Sequence, residues 1–353
     1  MIKEKSKEQL NKPLVSIILP AYNEEALVEK NVNILYKYLD TLSLNYDWEV
    51  LLVNDGSKDH TGELAEEIAK SKKSMRVIHH KTNRNLGVAM RTGFSNSKGD
   101  YVIVMDIDMS YSPDHIERLL TTIVETDADM VIASPYMKGG KNTNVPFMRL
   151  MMSKTVNWMM RVASGQRIFT FTSMVRVYNG SFVRSLNTKS STYDINPELI
   201  LKTKILRSRI VEIPAHLDWT EQKKLGKTRT SNLRIFKGII NGLFTSFIFR
   251  PYVFFWFAGG ILLLISLYII IWIFINTFHI YPETASLAEG FEERFGLSVS
   301  KVFNQRPYSF IVGSTTLIIS IQILGLGFLS LQKKRYFDEL FHLNSGILKK
   351  LLG

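Results

Sequence analysis

The chain has 353 residues, 44 basic and 32 acidic, giving a formal net charge of +12, a length that accommodates about two domains. It contains no cysteine, which excludes disulfides, zinc–thiolate sites and a thiol nucleophile and agrees with a reducing setting. A basic excess can serve nucleic acid or anionic lipid. No zinc finger, RNA-recognition signature or basic heptad helix is present, so a nucleic-acid partner is not expected.

Residues 1–13 are a polar, lysine-rich extension without the apolar centre of a signal peptide. The run Leu14 to Leu19 reads as a strand stopped by Pro20. Glu24 to Leu39 has helical spacing of Leu27, Val28, Val32, Leu35 and Leu39. Val50 to Val53 is a second strand, ended by the turn Asn54-Asp55-Gly56-Ser57. A helix over Thr61 to Ala69, a strand at Val77-Ile78 and a helix over Val88 to Phe94 follow. Next come a strand over Tyr101 to Met105, a helix over Pro113 to Thr126 and a strand over Met130 to Ala133. This alternation predicts an α/β fold with a parallel sheet covered by helices on both faces. Residues 146–231 are less regular and are expected to add antiparallel strands, helices and acceptor-binding loops.

The strand ending at Met105 runs into Asp106 and Asp108. Ligands of open α/β sheets sit beyond the carboxyl ends of strands. On an extended segment residues i and i+2 point the same way. Two hard oxygen ligands there suit Mg²⁺ or Mn²⁺ and hence a diphosphate. A solvated Asp-x-Asp turn is the competing reading. Asp55, at the end of the second strand, can accept hydrogen bonds from a base or ribose, or simply stabilise its turn.

Tyr252 to Phe278 and Tyr308 to Leu331 carry no charge, and each is long enough to cross a bilayer. Arg234, Lys237 and Arg250 precede the first span, and Lys333, Lys334 and Arg335 follow the second. The positive-inside rule then puts both termini in the cytoplasm. Residues 232–250 read as an amphipathic interfacial helix or, alternatively, as a packing helix; 251–332 as a two-span membrane domain; 333–353 as an amphipathic cytoplasmic tail.

Four segments occur in order: Leu19-Pro20-Ala21-Tyr22-Asn23-Glu24, Val53-Asn54-Asp55-Gly56-Ser57, Asp106-Ile107-Asp108 and Thr172-Ser173-Met174-Val175-Arg176-Val177-Tyr178. Together they resemble the inverting family 2 glycosyltransferases with the A-type nucleotide-sugar fold. More narrowly the chain resembles the polyprenyl-phosphate branch, and its two spans resemble bacterial undecaprenyl-phosphate sugar transferases. The resemblance implies a catalytic domain over 14–231 that moves a sugar from a nucleotide diphosphate to polyprenyl phosphate at the cytoplasmic face of a bacterial inner membrane. It implies that Pro20, Ala21, Tyr22, Glu24, Asp55 and Asp106 bind the nucleotide sugar. Asp106 and Asp108 would hold the cation, with Ser110 standing where relatives often carry Gln. Arg176, with Arg229 and Lys227 of the Lys223-to-Arg229 cluster, would meet the acceptor phosphate. Those distal cations serve lipid headgroups equally well. Asp106, Asp108 and Arg176 are the expected catalytic set. Glu198, in Asn196-Pro197-Glu198, matches a glutamate near the active site of relatives, or is a solvated helix start. Pro135 replaces an arginine usual in the segment Ser134 to Gly140.

His79, His80 and His216 are expected to be structural or surface groups. The processive relatives' Gln-x-x-Arg-Trp motif is absent. That weighs against a polysaccharide acceptor, which with a glycolipid acceptor and a non-catalytic scaffold completes the alternatives. Nothing in the sequence excludes a homo-oligomer.

Overall fold

The computed structural model describes residues 12–165, 167–224 and 251–352. The chain divides into two compact units, Met1–Thr245 with Phe341–Gly353, and Ser246–Leu340.

The first unit is built on a seven-stranded sheet ordered β3-β2-β1-β4-β7-β5-β8. Its strands are β1 (Leu14–Ala21), β2 (Asp47–Asn54), β3 (Met75–His79), β4 (Tyr101–Val104), β5 (Met130–Ser134), β7 (Arg176–Asn179) and β8 (Ile210–Pro214). All pair in parallel except β7, which runs antiparallel to both neighbours, as the less regular sequence after 146 predicts. A small parallel pair, β6 (Lys141–Thr143) and β9 (His216–Asp218), lies apart.

Alternation along the strands fills two cores. Ile17, Leu19, Leu52 and Ile103 face α1 (Glu25–Leu42), α2 (Thr61–Ser71) and α4 (His115–Thr126). Ile18, Leu51, Val102 and Val104 face α3 (Leu86–Asn96), α5 (Phe147–Ser164) and α7 (Ile195–Ile205). Two short helices, α6 (Gly180–Ser185) and α8 (Thr220–Lys224), complete the unit. Strand β1 pairs with β2 on one side and β4 on the other, so the chain's winding reverses between β1 and β4. Such a reversal opens a crevice at the carboxyl ends of the strands.

The second unit contains α9 (Pro251–Ile280), a single 3₁₀ turn (Tyr281–Thr284), α10 (Phe291–Gln305) and the first part of α11 (Pro307–Leu352). Two of its helices are long and apolar enough to cross a membrane. They approach closely at small residues, with Ser266 donating to the Gly313 carbonyl and Ser320 to that of Gly259, both at 3.0 Å. Helix α11 continues unbroken through the residues read as a separate tail, because no proline or turn follows Leu331. The expected interfacial helix over 232–250 lies outside the described residues.

Candidate active site

The segments at the carboxyl ends of β1, β2 and β4 converge. Asp55 N–H donates to the Ala21 carbonyl at 2.9 Å, joining the turns after β1 and β2. Gly56 closes the second turn with φ +67°. An added Cβ there would come within 2.4 Å of the Thr82 carbonyl carbon, so glycine is required on both counts.

Asp55 is held by more than its turn. Its Oδ1 lies 2.6 Å from His80 Nδ1 and accepts from the Arg84 N–H at 3.0 Å. His80 Nε2 meets Thr92 Oγ1 at 2.9 Å. These contacts fix one carboxylate oxygen of Asp55. The expectation that the histidines are structural therefore describes His80 only partly, since it orients a candidate binding residue. His79 bridges Asn54 and Glu66, and His216 meets Thr143. Replacing His80 by Ala removes its contacts to Asp55 and Thr92, the first of which, buried, is worth about 1–2 kcal/mol. The Michaelis constant for the nucleotide sugar is expected to rise about tenfold, with that for the acceptor unchanged, in steady-state kinetics.

Asp106 and Asp108 lie beyond β4 on a tight turn, where an extended segment was expected. Met109 N–H donates to the Asp106 carbonyl at 3.2 Å, and Met109 adopts φ 52°, a left-handed conformation costly for its side chain. The turn, not the strand pleat, brings the two carboxylates into each other's field. Burial first, and then the Asp108 charge, push the Asp106 carboxyl up to about 8.

Asp108 Oδ1 accepts from the Ser110 N–H at 3.0 Å and the Ser110 hydroxyl at 2.7 Å. The same hydroxyl accepts from Gln222 Nε2 at 2.9 Å. Ser110 is therefore buried and engaged, orienting Asp108 rather than offering a free metal ligand. Gln222, unmarked in the sequence reading, brings a second oxygen close: its Oε1 is buried and has no hydrogen-bond partner among the described residues. The donor set fits a divalent cation. Two carboxylates in mutual repulsion supply charge, and among the described residues no third His, Asp or Glu completes a cluster. A cation of the Mg²⁺ class keeps the rest of its shell for diphosphate oxygens and water.

The cation whose charge acts on this pair is Arg149, near the start of α5. Arg149 feels both Asp106 and Asp108, and its guanidinium lies over the Trp219 ring at 4.0 Å. Exposed Tyr193 lies in the field of Asp106, Arg149, Asp108 and Glu24. Glu24 in turn acts on Asp106. Pro20 is half-buried, Ala21 buried and Tyr22 exposed on the turn after β1.

Arg176 departs from expectation. It sits at the start of β7, between β4 and β5, and is fully buried. Its guanidinium donates to the carbonyls of Asn196 at 2.9 Å and Phe171 at 2.8 Å. Full burial, with two guanidinium nitrogens committed to backbone carbonyls, leaves it no exposed face for a phosphate. Lys227 and Arg229 lie outside the described residues.

Glu198 is also structural in geometry. Its carboxylate accepts from the N–H groups of Lys189 and Ser190, each at 2.8 Å, and pairs with Lys202 at 2.5 Å. Burial raises its pKa, but these bonds outweigh burial and hold it below the ordinary value. It thereby ties down the loop that carries Tyr193. Because the folded value is depressed, this contribution is present above pH 4.5, the ordinary value, and is lost as pH falls through the folded one. Glu198→Ala is expected to cost about 2 kcal/mol and to speed proteolysis of the 187–193 loop at neutral pH. Acidifying the parent protein below pH 4.5 should reproduce that cleavage.

With this geometry in place, the relatives can be compared. Residues 16–186 match the model of Glycosyl transferase family 2. The chain is similar to an undecaprenyl-phosphate mannosyltransferase of Micrococcus luteus, 30% identical over 233 residues, covering 64% of this chain and 91% of that one. It belongs to glycosyl transferase family 2. Similar too are this glycosyltransferase and a polyprenol monophosphomannose synthase of Mycolicibacterium smegmatis, 31% identical, covering 62% of this chain and 82% of the other. A dolichol-phosphate mannosyltransferase of Pyrococcus furiosus is 32% identical, and the match spans 62% of each chain. The matched segment of the glycosyltransferase holds Asp55, Asp106, Asp108 and Arg149 and stops short of Glu198 and Gln222.

Proposed function

We propose that this glycosyltransferase moves a sugar, mannose first among the candidates, from a nucleotide diphosphate to a polyprenyl phosphate in the membrane. The observation that carries the reading is Arg149, stacked on the Trp219 ring at 4.0 Å, lying in the field of the Asp106–Asp108 pair. A planar guanidinium, backed by an indole ring, suits two-point binding of a phosphate. Three relatives bear polyprenyl-phosphate mannosyltransferase names, which supports this acceptor and this sugar.

The chemistry asks little of a base. A phosphate monoester is already anionic at neutral pH, so placement and charge neutralisation carry the demand. Asp55, braced by His80, hydrogen-bonds the nucleoside. The turn after β1 lies against the base. Asp106 and Asp108 would hold Mg²⁺ or Mn²⁺, which would supply Lewis-acid neutralisation of the diphosphate. Arg149 draws the acceptor phosphate to the face of the sugar opposite that leaving group. One displacement from that side inverts the anomeric carbon.

The two apolar helices anchor the enzyme where a lipid acceptor resides. Arg234, Lys237 and Arg250 before the first and Lys333, Lys334 and Arg335 after the second favour a cytoplasmic catalytic unit. Purified full-length protein in lipid, given polyprenyl phosphate, a divalent cation and a panel of nucleotide sugars, should yield a glycosylated lipid by mass spectrometry. A broad panel without any such product overturns the reading.

A further inference from the structure

We propose that helix α5 docks the catalytic unit onto an anionic lipid surface through its outward face, as a membrane contact separate from the two apolar spans. Phe147, Met151, Trp158 and Val162 follow one another at spacings of four, seven and four residues, which places them on a single stripe of the helix. They are 71%, 49%, 63% and 52% exposed. Single exposed apolar residues are ordinary, but an aligned run of four on one helix marks a contact surface. Met148 widens the stripe, and Lys154 and Arg161 flank it.

The helix cannot roll this stripe inward. Val156, Asn157 and Met160 are buried on the opposite side. Asn157 Oδ1 accepts from the N–H groups of Phe171 at 2.6 Å and Thr172 at 3.2 Å, fixing the helix azimuth.

Charge selects the occupant. No Asp or Glu occurs anywhere in Phe147–Ser164, while Lys154 and Arg161 edge the stripe. A second copy of the chain seated on the same face would bring these cations against their own kind. Anionic headgroups meet them favourably, and an aromatic-rich apolar stripe edged by Lys and Arg is the pattern of a helix lying in a lipid interface. Beside Trp158 a cavity of about 160 Å³ is lined by Tyr136, Lys154, Asn157, Arg161 and Phe169. Arg161 is held over the Phe169 ring at 4.4 Å. Two cations on such a hollow suit a headgroup phosphate. The inference deepens the proposed function and rests on its membrane anchoring, because the spans keep a bilayer within reach. Its consequence is geometric: Arg149 projects from the inner side of the helix whose outer side meets lipid. A lipid-borne phosphate then has about one helix diameter, ~10 Å, to travel.

The chain has no cysteine, so single-cysteine variants need no background changes. Met151→Cys and Trp158→Cys on the stripe, and Val124→Cys on exposed α4 as reference, are labelled with an environment-sensitive fluorophore. The full chain is placed in nanodiscs containing phosphatidylglycerol. Labels at 151 and 158 are expected to emit at shorter wavelength and to be quenched by spin-labelled lipid, while the label at 124 is not. Combining Lys154→Glu and Arg161→Glu with Trp158→Cys should weaken that quenching several-fold. Solvent-like emission at both stripe positions overturns the proposal. So does shifted emission that lipid quenchers fail to reach, which would mean that protein covers the stripe, whether this chain's own or a second copy's. Sugar transfer measured in the same discs separates the two readings. Glycolipid formed with solvent-exposed labels sinks the docking face alone, and docked labels without product sink the acceptor alone.

Discussion

Asp108→Asn is expected to lower the turnover number for sugar transfer by about 10³-fold while leaving the catalytic unit folded. Asparagine keeps the shape of the side chain and one oxygen, so the hydrogen bonds from the Ser110 N–H and hydroxyl persist. What disappears is the charge, and with it half of the anionic pair to which the proposed mechanism assigns the cation. Asp106→Asn should be equally inactive but different in stability. Burial and the Asp108 charge already raise the Asp106 carboxyl to about 8, so the cation-free protein carries a destabilising group there at neutral pH. At that value the folded carboxyl is largely protonated at neutral pH while the unfolded one is ionised, and asparagine removes the cost of that proton uptake. The melting temperature of Asp106→Asn should therefore exceed that of the parent without cation, and added Mg²⁺ or Mn²⁺ should stabilise the parent but not the variant. Full transfer by Asp108→Asn would show that the pair is a solvated turn, the competing reading of its sequence, and would remove the basis of the proposed mechanism.

The sheet was readable because its strands are buried on both faces and so appear as unbroken apolar runs: Leu14 to Leu19, Val50 to Val53, Tyr101 to Met105 and Met130 to Ala133 each mark an observed strand. Their carboxyl ends were readable for the same reason, since Asp55 and Asp106 stand where the runs stop. Patterns of that kind do not report which way a side chain turns once the chain leaves the strand. Asp106 and Asp108 were expected to align by strand pleat, and they lie instead on a turn closed by the Met109 N–H on the Asp106 carbonyl. Arg176 matched a motif, but a motif match carries no burial, and the carbonyls of Asn196 and Phe171 hold its guanidinium inside the core. Arg149 and Gln222 were missed because nothing local marks them. Arg149 acquires its role from Trp219, 70 residues downstream by number, and Gln222 from Ser110, at a sequence separation of 112. The composition of α5 held an available signal, an 18-residue segment with three cations, no acid and apolar residues four apart.

The two arginines give the sharpest division between structural and functional roles. Arg149→Ala is expected to reduce kcat/KM for the acceptor by about 10²-fold, with little change in melting temperature, because the side chain is exposed and its contact with Trp219 is a stacking one worth about 1 kcal/mol or less. Arg149→Lys should recover only part of this loss. An ammonium retains the charge opposite Asp106 and Asp108 but neither stacks flat on Trp219 nor binds a phosphate at two points. Arg176→Met should behave in the opposite way. It strands the carbonyls of Asn196 and Phe171 inside the core, at a cost of about 3 kcal/mol. The folded fraction should still bind acceptor with near-parent affinity when assayed at low temperature. Thermal unfolding, together with acceptor-dependent kinetics on the same preparations, decides the matter. A stable Arg176→Met that has lost acceptor affinity would return the phosphate to Arg176, and an Arg149→Ala with unchanged acceptor kinetics would take it from α5. The first result would require the Arg176 guanidinium to become exposed during turnover, which breaks its bonds to the Asn196 and Phe171 carbonyls.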